Sequence, residues 1–334
     1  MNNPTKNAKV LLRPFRGVED LPTLVALDTR LKLADDDDGH SKFESLDSAQ
    51  EWLRTAVSEE YNPYRNLVFA EIDGQVIGKG NAKWSISENG ERHYELGDAG
   101  VLPQWRRKGI GRLLLKWQES RLREIFLSHE QTRSSSWLVA NKRDSAGVQP
   151  LYAEAGYAKQ SHRHIMTVDL RETIPNIPIP PGFEVRPTEP AEMEHVWNIA
   201  QSGFDKPLSY DAYLPMAASA NALVDSRYWH VAWSSVTDEV AGGVFSIVFP
   251  RGVASDCVRC EAWSDFVVVL EKFRRQGLGK ALLAYHLRAA RSLGLTEASL
   301  AVDDGNPNEA KRLYDELGYK TIASWLTYRK PFSV

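Results

Sequence analysis

The sequence predicts an α/β protein built as two tandem domains, each a mixed central sheet flanked by helices. Three observations predict it. Strand-like and helix-like segments alternate in each half. Ordered blocks of the first half recur in the second. Between them, the segment from Glu172 to Gly182 carries Pro175, Pro178, Pro180 and Pro181, and each proline removes a backbone donor and disfavours helix at the residue before it. The expected layout is an N-terminal domain over 1–171, an extended connector over 172–182 and a C-terminal domain over 183–334. A length of 334 residues agrees, at about 150 residues per domain.

The repeated elements follow one another in the same order. Leu12-Arg13-Pro14 opens one copy and Val185-Arg186-Pro187 the other. Leu67 to Gly78 reads as two strands joined by the turn Asp73-Gly74, and Trp229 to Trp233 with Val240 to Val248 takes that place in the second copy. A strand then ends near Val101, or Val269. After a glycine loop comes a helix, with apolar residues at Ile110, Leu113, Leu114 and Trp117, or at Leu278, Leu282 and Tyr285. Another strand (Ser136 to Ala140; Ala298 to Val302), a short helix holding Tyr152 or Tyr314, and a final strand complete each copy.

The glycine loop has a physical use. A helix start leaves backbone N–H groups without partners, and the aligned peptide dipoles add roughly half a positive charge there. Gly109 and Gly111, or Gly277 and Gly279, let a phosphate approach the main chain without Cβ obstruction. Cationic Arg106, Arg107, Lys108 and Arg112 favour a diphosphate. A dinucleotide fingerprint would need a third glycine where Leu114 and Leu282 stand, and neither copy has a nucleoside-triphosphatase loop. A single such loop would more simply be a solvated basic helix start; two in matched strand–helix context point to a pyrophosphate cradle.

At these residues the chain resembles the GNAT N-acetyltransferase superfamily in its tandem form. Val101-Leu-Pro-Gln-Trp-Arg-Arg-Lys-Gly-Ile-Gly111 is similar to the family's acetyl-coenzyme A signature, and Val269-Leu-Glu-Lys-Phe-Arg-Arg-Gln-Gly-Leu-Gly279 matches it with Glu271 where proline is usual. Asn306 to Tyr319 resembles the family's second helix motif; Asp144 to Tyr157 departs further, with Pro150 just before Leu151-Tyr152. The two-domain layout is similar to that of mycothiol synthase, whose substrate two domains alone do not carry over. The resemblance implies acetyl-CoA as cofactor. Its contacts would be Val101, Arg106, Arg107, Lys108, Gly109, Ile110, Gly111 and Arg112 in the first copy. In the second they would be Val269, Arg274, Arg275, Gln276, Gly277, Leu278, Gly279 and Lys280.

The implied reaction moves an acetyl group from a thioester to a primary amine of a small molecule or peptide. A lysine-like amine with a pKa near 10.4 costs roughly 4.6 kcal/mol to deprotonate at pH 7, an α-amine near 8 about 1.4 kcal/mol, so a base matters more for the former. Backbone N–H groups near Val101 or Val269 would serve the oxyanion, as the family implies. The resemblance places the acid at Tyr152 and Tyr314, each otherwise a packed core tyrosine. It places the base at Glu95, eleven residues before the first loop arginine. The same count in the second copy lands on Trp263. Asp265 and Glu261 share its strand face by the period of two and are level candidates for either a base or a solvated carboxylate. The C-terminal half is expected to be competent, with coenzyme binding in both.

Charge and composition narrow the alternatives. With 41 Lys+Arg against 44 Asp+Glu the net charge is −3, which argues against a nucleic-acid binder built on Arg106–Arg112 and Arg274–Lys280. No apolar run is long enough for a membrane span, and the N-terminus does not read as a signal peptide. Two cysteines make no disulfide framework, so a cytoplasmic protein is expected, as monomer or homodimer. Cys257 and Cys260 alone cannot complete a zinc site, and His162 and His164 lack a third ligand, so no metal is expected. Asp35 to Asp38 read as a solvated run. A coenzyme A-binding sensor without turnover stays open, favoured by Trp263 at the glutamate position and by Pro150.

Overall fold

The computed structural model describes residues 9–34, 45–86, 90–129, 136–145, 147–204, 207–219, 222–251, 259–305 and 310–332. The chain divides into two compact units, Met1–Ser161 with Trp325–Val334, and His162–Ser324. Among the described residues no helix is long and apolar enough to cross a membrane.

In the first unit β1 (Leu11–Pro14), β2 (Leu67–Ile72), β3 (Gln75–Ile86) and β4 (Arg92–Val101) pair antiparallel in that order. Strand β5 (Ser136–Arg143) joins β4 in parallel. Asp73 and Gly74, both at positive φ, make the β2–β3 turn that the Asp-Gly pair predicts. Helices α1 (Leu21–Ala34), α2 (Leu46–Thr55) and α3 (Pro63–Asn66) lie between β1 and β2 in the chain. Helix α4 (Ile110–Ser128) follows β4, and α5 (Val148–Glu154) follows β5. Pro150 falls in the first turn of α5, where the missing N–H has no intrahelical partner to lose, so this helix is intact.

The second unit repeats the plan. Antiparallel β7 (Phe183–Arg186), β8 (Leu223–Ser234), β9 (Val240–Arg251) and β10 (Arg259–Val269) lead to parallel β11 (Glu297–Asp303). Between β7 and β8 in the chain come α6 (Met193–Gln201) and α7 (Tyr210–Ser219); α8 (Leu278–Ser292) follows β10 and α9 (Ala310–Glu316) follows β11. The buried stripe of α8 takes Leu278, Leu282, His286 and Ala290, at intervals of four. Tyr285, expected on that face, is 37% exposed.

The final strand of each copy is formed, but its partner is not the one proximity in sequence suggests. Beside β5 in the first unit pairs the chain's last strand, β12 (Lys320–Pro331), through Trp325–Pro331. Beside β11 in the second unit pairs β6 (Ala158–Asp169), through Arg163–Asp169. The proline segment has no helix or strand from 173 to 180 and packs on the second unit's core. Ile174, Ile177 and Ile179 join that core, and Arg288 donates to the Pro175 carbonyl at 2.7 Å.

Candidate active site

Both glycine loops fold alike. Each opens with a short 3-10 turn, Pro103–Trp105 or Glu271–Phe273, and then turns back. The next arginine braces the turn through its own Nε: Arg106 donates to the Val101 carbonyl at 2.8 Å and Arg274 to the Val269 carbonyl at 2.9 Å. Arg107 and Gly109 have φ of 61° and 82°, and Arg275 and Gly277 have 63° and 79°, each pair straddling a residue of negative φ. That alternation turns successive N–H groups towards one point, an anion-binding nest. A left-handed arginine is uncommon, and its occurrence at both matched positions indicates that the loop conformation is what the sequence preserves. Gly109 and Gly277 are the N-caps of α4 and α8, and a glycine brings no side chain of its own to cap the helix. A Cβ at Gly109 would meet nothing within 4 Å, and one at Gly277 would meet only Pro180 of the proline segment, at 3.9 Å.

The flanking cations are not all directed at this nest. Arg112 is ion-paired with Glu154, and Lys280 with Glu316 at 2.7 Å. These pairs tie each cradle helix to the helix holding Tyr152 or Tyr314. Lys108 lies over the Trp105 ring at 4.6 Å.

Next to each nest the parallel strands separate. β4 and β5 pair over Arg92–Glu95 and Ser136–Val139, although β4 continues to Val101 and β5 to Arg143. β10 and β11 pair over Glu261–Ser264 and Glu297–Leu300 and then part. A β-bulge marks each departure. Gly97 and Asp98 together oppose Asn81, and Asp265 is the extra residue between Ser264 and Phe266.

The two wedges differ in content. In the first unit Lys142 of β5 reaches across to donate to the Gly97 carbonyl, which Gln118 of α4 also serves at 3.2 Å. Burial pushes the Lys142 ammonium down to about 8; Asp98 opposes that shift and Lys79 adds to it. Lys79 is itself buried, held by Asp28 and by Asp98 at 2.7 Å. Counted from Val139 and Ser299, the ladder partners of Glu95 and Trp263, the place of Lys142 falls to Val302, a buried aliphatic residue. Sequence patterning offers no sign of Lys142, because a lysine near a strand end reads as solvated.

Glu95 has both oxygens engaged, one accepting from Ser85 at 2.7 Å and the other paired with Lys83 at 3.0 Å. Asp265 sits on the face of β10 towards α7 and accepts from the Tyr213 hydroxyl at 2.9 Å. Burial raises its carboxyl to about 6, against hydrogen bonds from Tyr213 and Trp263 that hold it down. Tyr213 is positioned by Trp197 of α6, with ring centroids stacked at 4.1 Å, while Phe266 meets Trp197 edge-on at 5.0 Å. Tyr213 and Trp197 were not singled out by sequence; both read as ordinary core aromatics. The side chain of Glu261 lies outside the described residues, as do Asp35 to Gly39, Cys257 and the stretch 306–309 of the second helix motif.

Tyr152 is stacked on Tyr328 of β12 at 4.8 Å, and burial raises its hydroxyl above the ordinary value. Tyr314 is buried, with burial pushing its hydroxyl up to about 12, so it is a neutral donor at physiological pH.

Comparison with known proteins agrees with this geometry. The family model of the Acetyltransferase (GNAT) family matches residues 31–157 and again residues 193–319. A GCN5-related N-acetyltransferase from Sphaerobacter thermophilus is 19% identical, with a TM-score of 0.68 over 96% of this chain and 95% of that one. A tandem GNAT protein from the clavulanic acid biosynthesis pathway is 15% identical, with a TM-score of 0.59 over 97% of this chain and 98% of its own. A GCN5-related glucosamine N-acetyltransferase region of a fungal multi-domain β-N-acetylglucosaminidase is 15% identical, with a TM-score of 0.61, this chain covering 38% of that protein. No curated protein matches. Two family matches spanning most of the chain, on two copies of one nest-and-wedge plan, identify it as a member of the Acetyltransferase (GNAT) family with its domain in tandem.

Proposed function

We propose that the protein transfers the acetyl group of acetyl-CoA to a primary amine of a small molecule or peptide, and that the C-terminal unit carries the chemistry. One observation supports this above the others: beside the glycine nest at Gly277, β10 and β11 part with a raised carboxyl, Asp265, at the point of separation. Both nests fit a diphosphate through their N–H groups. In the N-terminal unit the wedge is spanned by Lys142, which fits the second reading, a module that binds coenzyme without turnover. The limits 1–171 and 183–334 describe the two sequence copies, inside each of which one family match falls, whereas the compact units are Met1–Ser161 with Trp325–Val334 and His162–Ser324.

In the proposed reaction the amine nitrogen attacks the thioester carbonyl, the C–N bond forms and the C–S bond breaks. Asp265, directly or through a water, takes the proton that the attacking nitrogen loses. A carboxyl near 6 is ionised at pH 7 and more basic than an ordinary aspartate, as that role requires. Main-chain N–H groups of β10 beyond its pairing with β11 would face the oxyanion. Tyr314 supplies a proton to the departing thiolate.

Turnover and binding test the proposal together. Calorimetric titration with acetyl-CoA gives the number of sites, and thiol release with a panel of primary amines gives the activity. We expect at least one site, and amine-dependent release that Gln276→Glu suppresses and Lys108→Glu leaves in place. Both residues are exposed, so a new charge in the nest acts without a packing cost. Absence of any binding would reject the proposal. Release abolished by Lys108→Glu alone would assign the chemistry to the other unit.

A further inference from the structure

His162 and His164 project from one face of β6, two residues apart, as the strand period requires. The structure supplies the third group that their spacing lacks. Asp304 follows β11, and its backbone N–H donates to the His162 carbonyl at 2.9 Å, which fixes it opposite the pair. Its carboxylate meets both rings: Oδ2 lies 2.9 Å from His162 Nδ1 and Oδ1 lies 2.6 Å from His164 Nε2. The two rings are tilted at 49° to each other with centroids 4.3 Å apart. All three donor atoms lie within 4.8 Å of one another, and all three residues belong to the second unit.

We propose that His162, His164 and Asp304 form a binding site for a zinc-type divalent ion. Ligand–metal distances are about 2.0–2.2 Å for imidazole nitrogen and carboxylate oxygen, and two such ligands at a tetrahedral angle stand about 3.4 Å apart. The contacts at 2.6 and 2.9 Å need only a slight outward rotation of the side chains to reach that spacing. Two imidazoles with one carboxylate select a borderline transition ion over magnesium or calcium, which take oxygen ligands.

The second layer of the site fits the same reading. His164 Nδ1 is 2.8 Å from Ser324 Oγ. With a metal on Nε2, Nδ1 keeps its proton and donates to that hydroxyl, the outer hydrogen bond that metal-bound histidines commonly make. The rings are mostly buried, at 19% and 11% side-chain exposure, while Asp304 is 49% exposed. An ion would enter from the carboxylate side and keep its fourth position towards water. The site would fasten the end of β11, from which the chain runs on to α9 and Tyr314, to β6. It rests on these contacts alone and is independent of the proposed acetyl transfer.

The test uses the full chain, stripped with a chelator and dialysed. Titration with Zn2+ should show one site per chain that depends on these residues, and Co2+ should give the visible absorption of a tetrahedral N/O site. Asp304→Asn and His164→Asn should abolish both signals, and Ser324→Ala should weaken Zn2+ binding about tenfold or more. Circular dichroism of each variant separates loss of the site from loss of the fold, and half-exposed Asp304 is the safer substitution. Should Co2+ give no tetrahedral band, or Zn2+ bind Asp304→Asn as tightly as the parent chain, the three residues form a hydrogen-bonded cluster only and the proposal is overturned.

Discussion

The Tyr213 hydroxyl donates to Asp265 Oδ2 at 2.9 Å, across from α7 to the bulge of β10. The bond joins a helix of the first half of the unit to the strand that borders the wedge. It stabilises the ionised carboxylate that burial disfavours, so the two effects oppose each other at one group.

A rising pH–rate limb near pH 6 is the expected signature. Asp265→Asn should remove the limb and lower kcat about a hundredfold, within the range for loss of a general base. Tyr213→Phe removes a group that lowers the pKa, so the limb should move to higher pH with kcat on the plateau largely kept. Acetyl-CoA affinity should change in neither variant. A raised carboxyl also carries a stability sign: the folded chain holds the proton more tightly than the unfolded one. Wild type should therefore lose stability relative to Asp265→Asn as pH rises from about 4 through 6, read by urea midpoints.

Tyr314 and Tyr152 should separate cleanly. Tyr314→Phe keeps the ring packing and removes the proton donor, so kcat should fall roughly a hundredfold with unchanged coenzyme affinity. Tyr152→Phe should leave turnover as it was, because its ring serves the stack on Tyr328. Parallel kinetics and titrations of the two variants check this.

Lys142 should show itself in alkaline stability. Its folded pKa, about 8, lies below the unfolded value of 10.5, so the unfolded chain binds the extra proton between those limits. Stability should rise with pH over that window, by up to about 3 kcal/mol relative to Lys142→Met, which has nothing to titrate. Urea unfolding of both proteins at pH 7, 8.5 and 10 measures the difference. If the two curves stay parallel, Lys142 titrates normally.

Glu316 should compete with the coenzyme for Lys280. Glu316→Gln breaks the 2.7 Å ion pair and leaves Lys280 free to face a diphosphate. Acetyl-CoA affinity should increase severalfold at low ionic strength, and the gain should vanish in high salt, since both groups are exposed. The melting temperature should not move measurably.

The alternation of strand and helix, the hairpin at Asp73-Gly74 and both glycine loops were legible because each is set by local chemistry: side-chain period, turn residues and a helix start. At Asp265 the period-two count crosses a bulge, which side-chain alternation alone does not reveal. What escaped notice depends on partners distant in the chain. His164 meets Asp304 across a separation of 140 residues, and Lys142 meets Gly97 across 45. A period-two pattern says which face a side chain takes and nothing of which strand lies beside it. For the same reason the final strands were expected in each copy, while their exchange between the units was invisible.

That exchange has a consequence for dismantling the molecule. The fragment ending before the proline segment would lack β12 and carry β6 with no β11 to pair it; the remaining fragment would have the converse fault. Each would present a bare row of amides and carbonyls along its fifth strand, the kind of flank that recruits other chains into aggregates. Splitting the polypeptide at its midpoint should thus give two insoluble pieces, and mixing them during refolding should restore what neither possesses by itself.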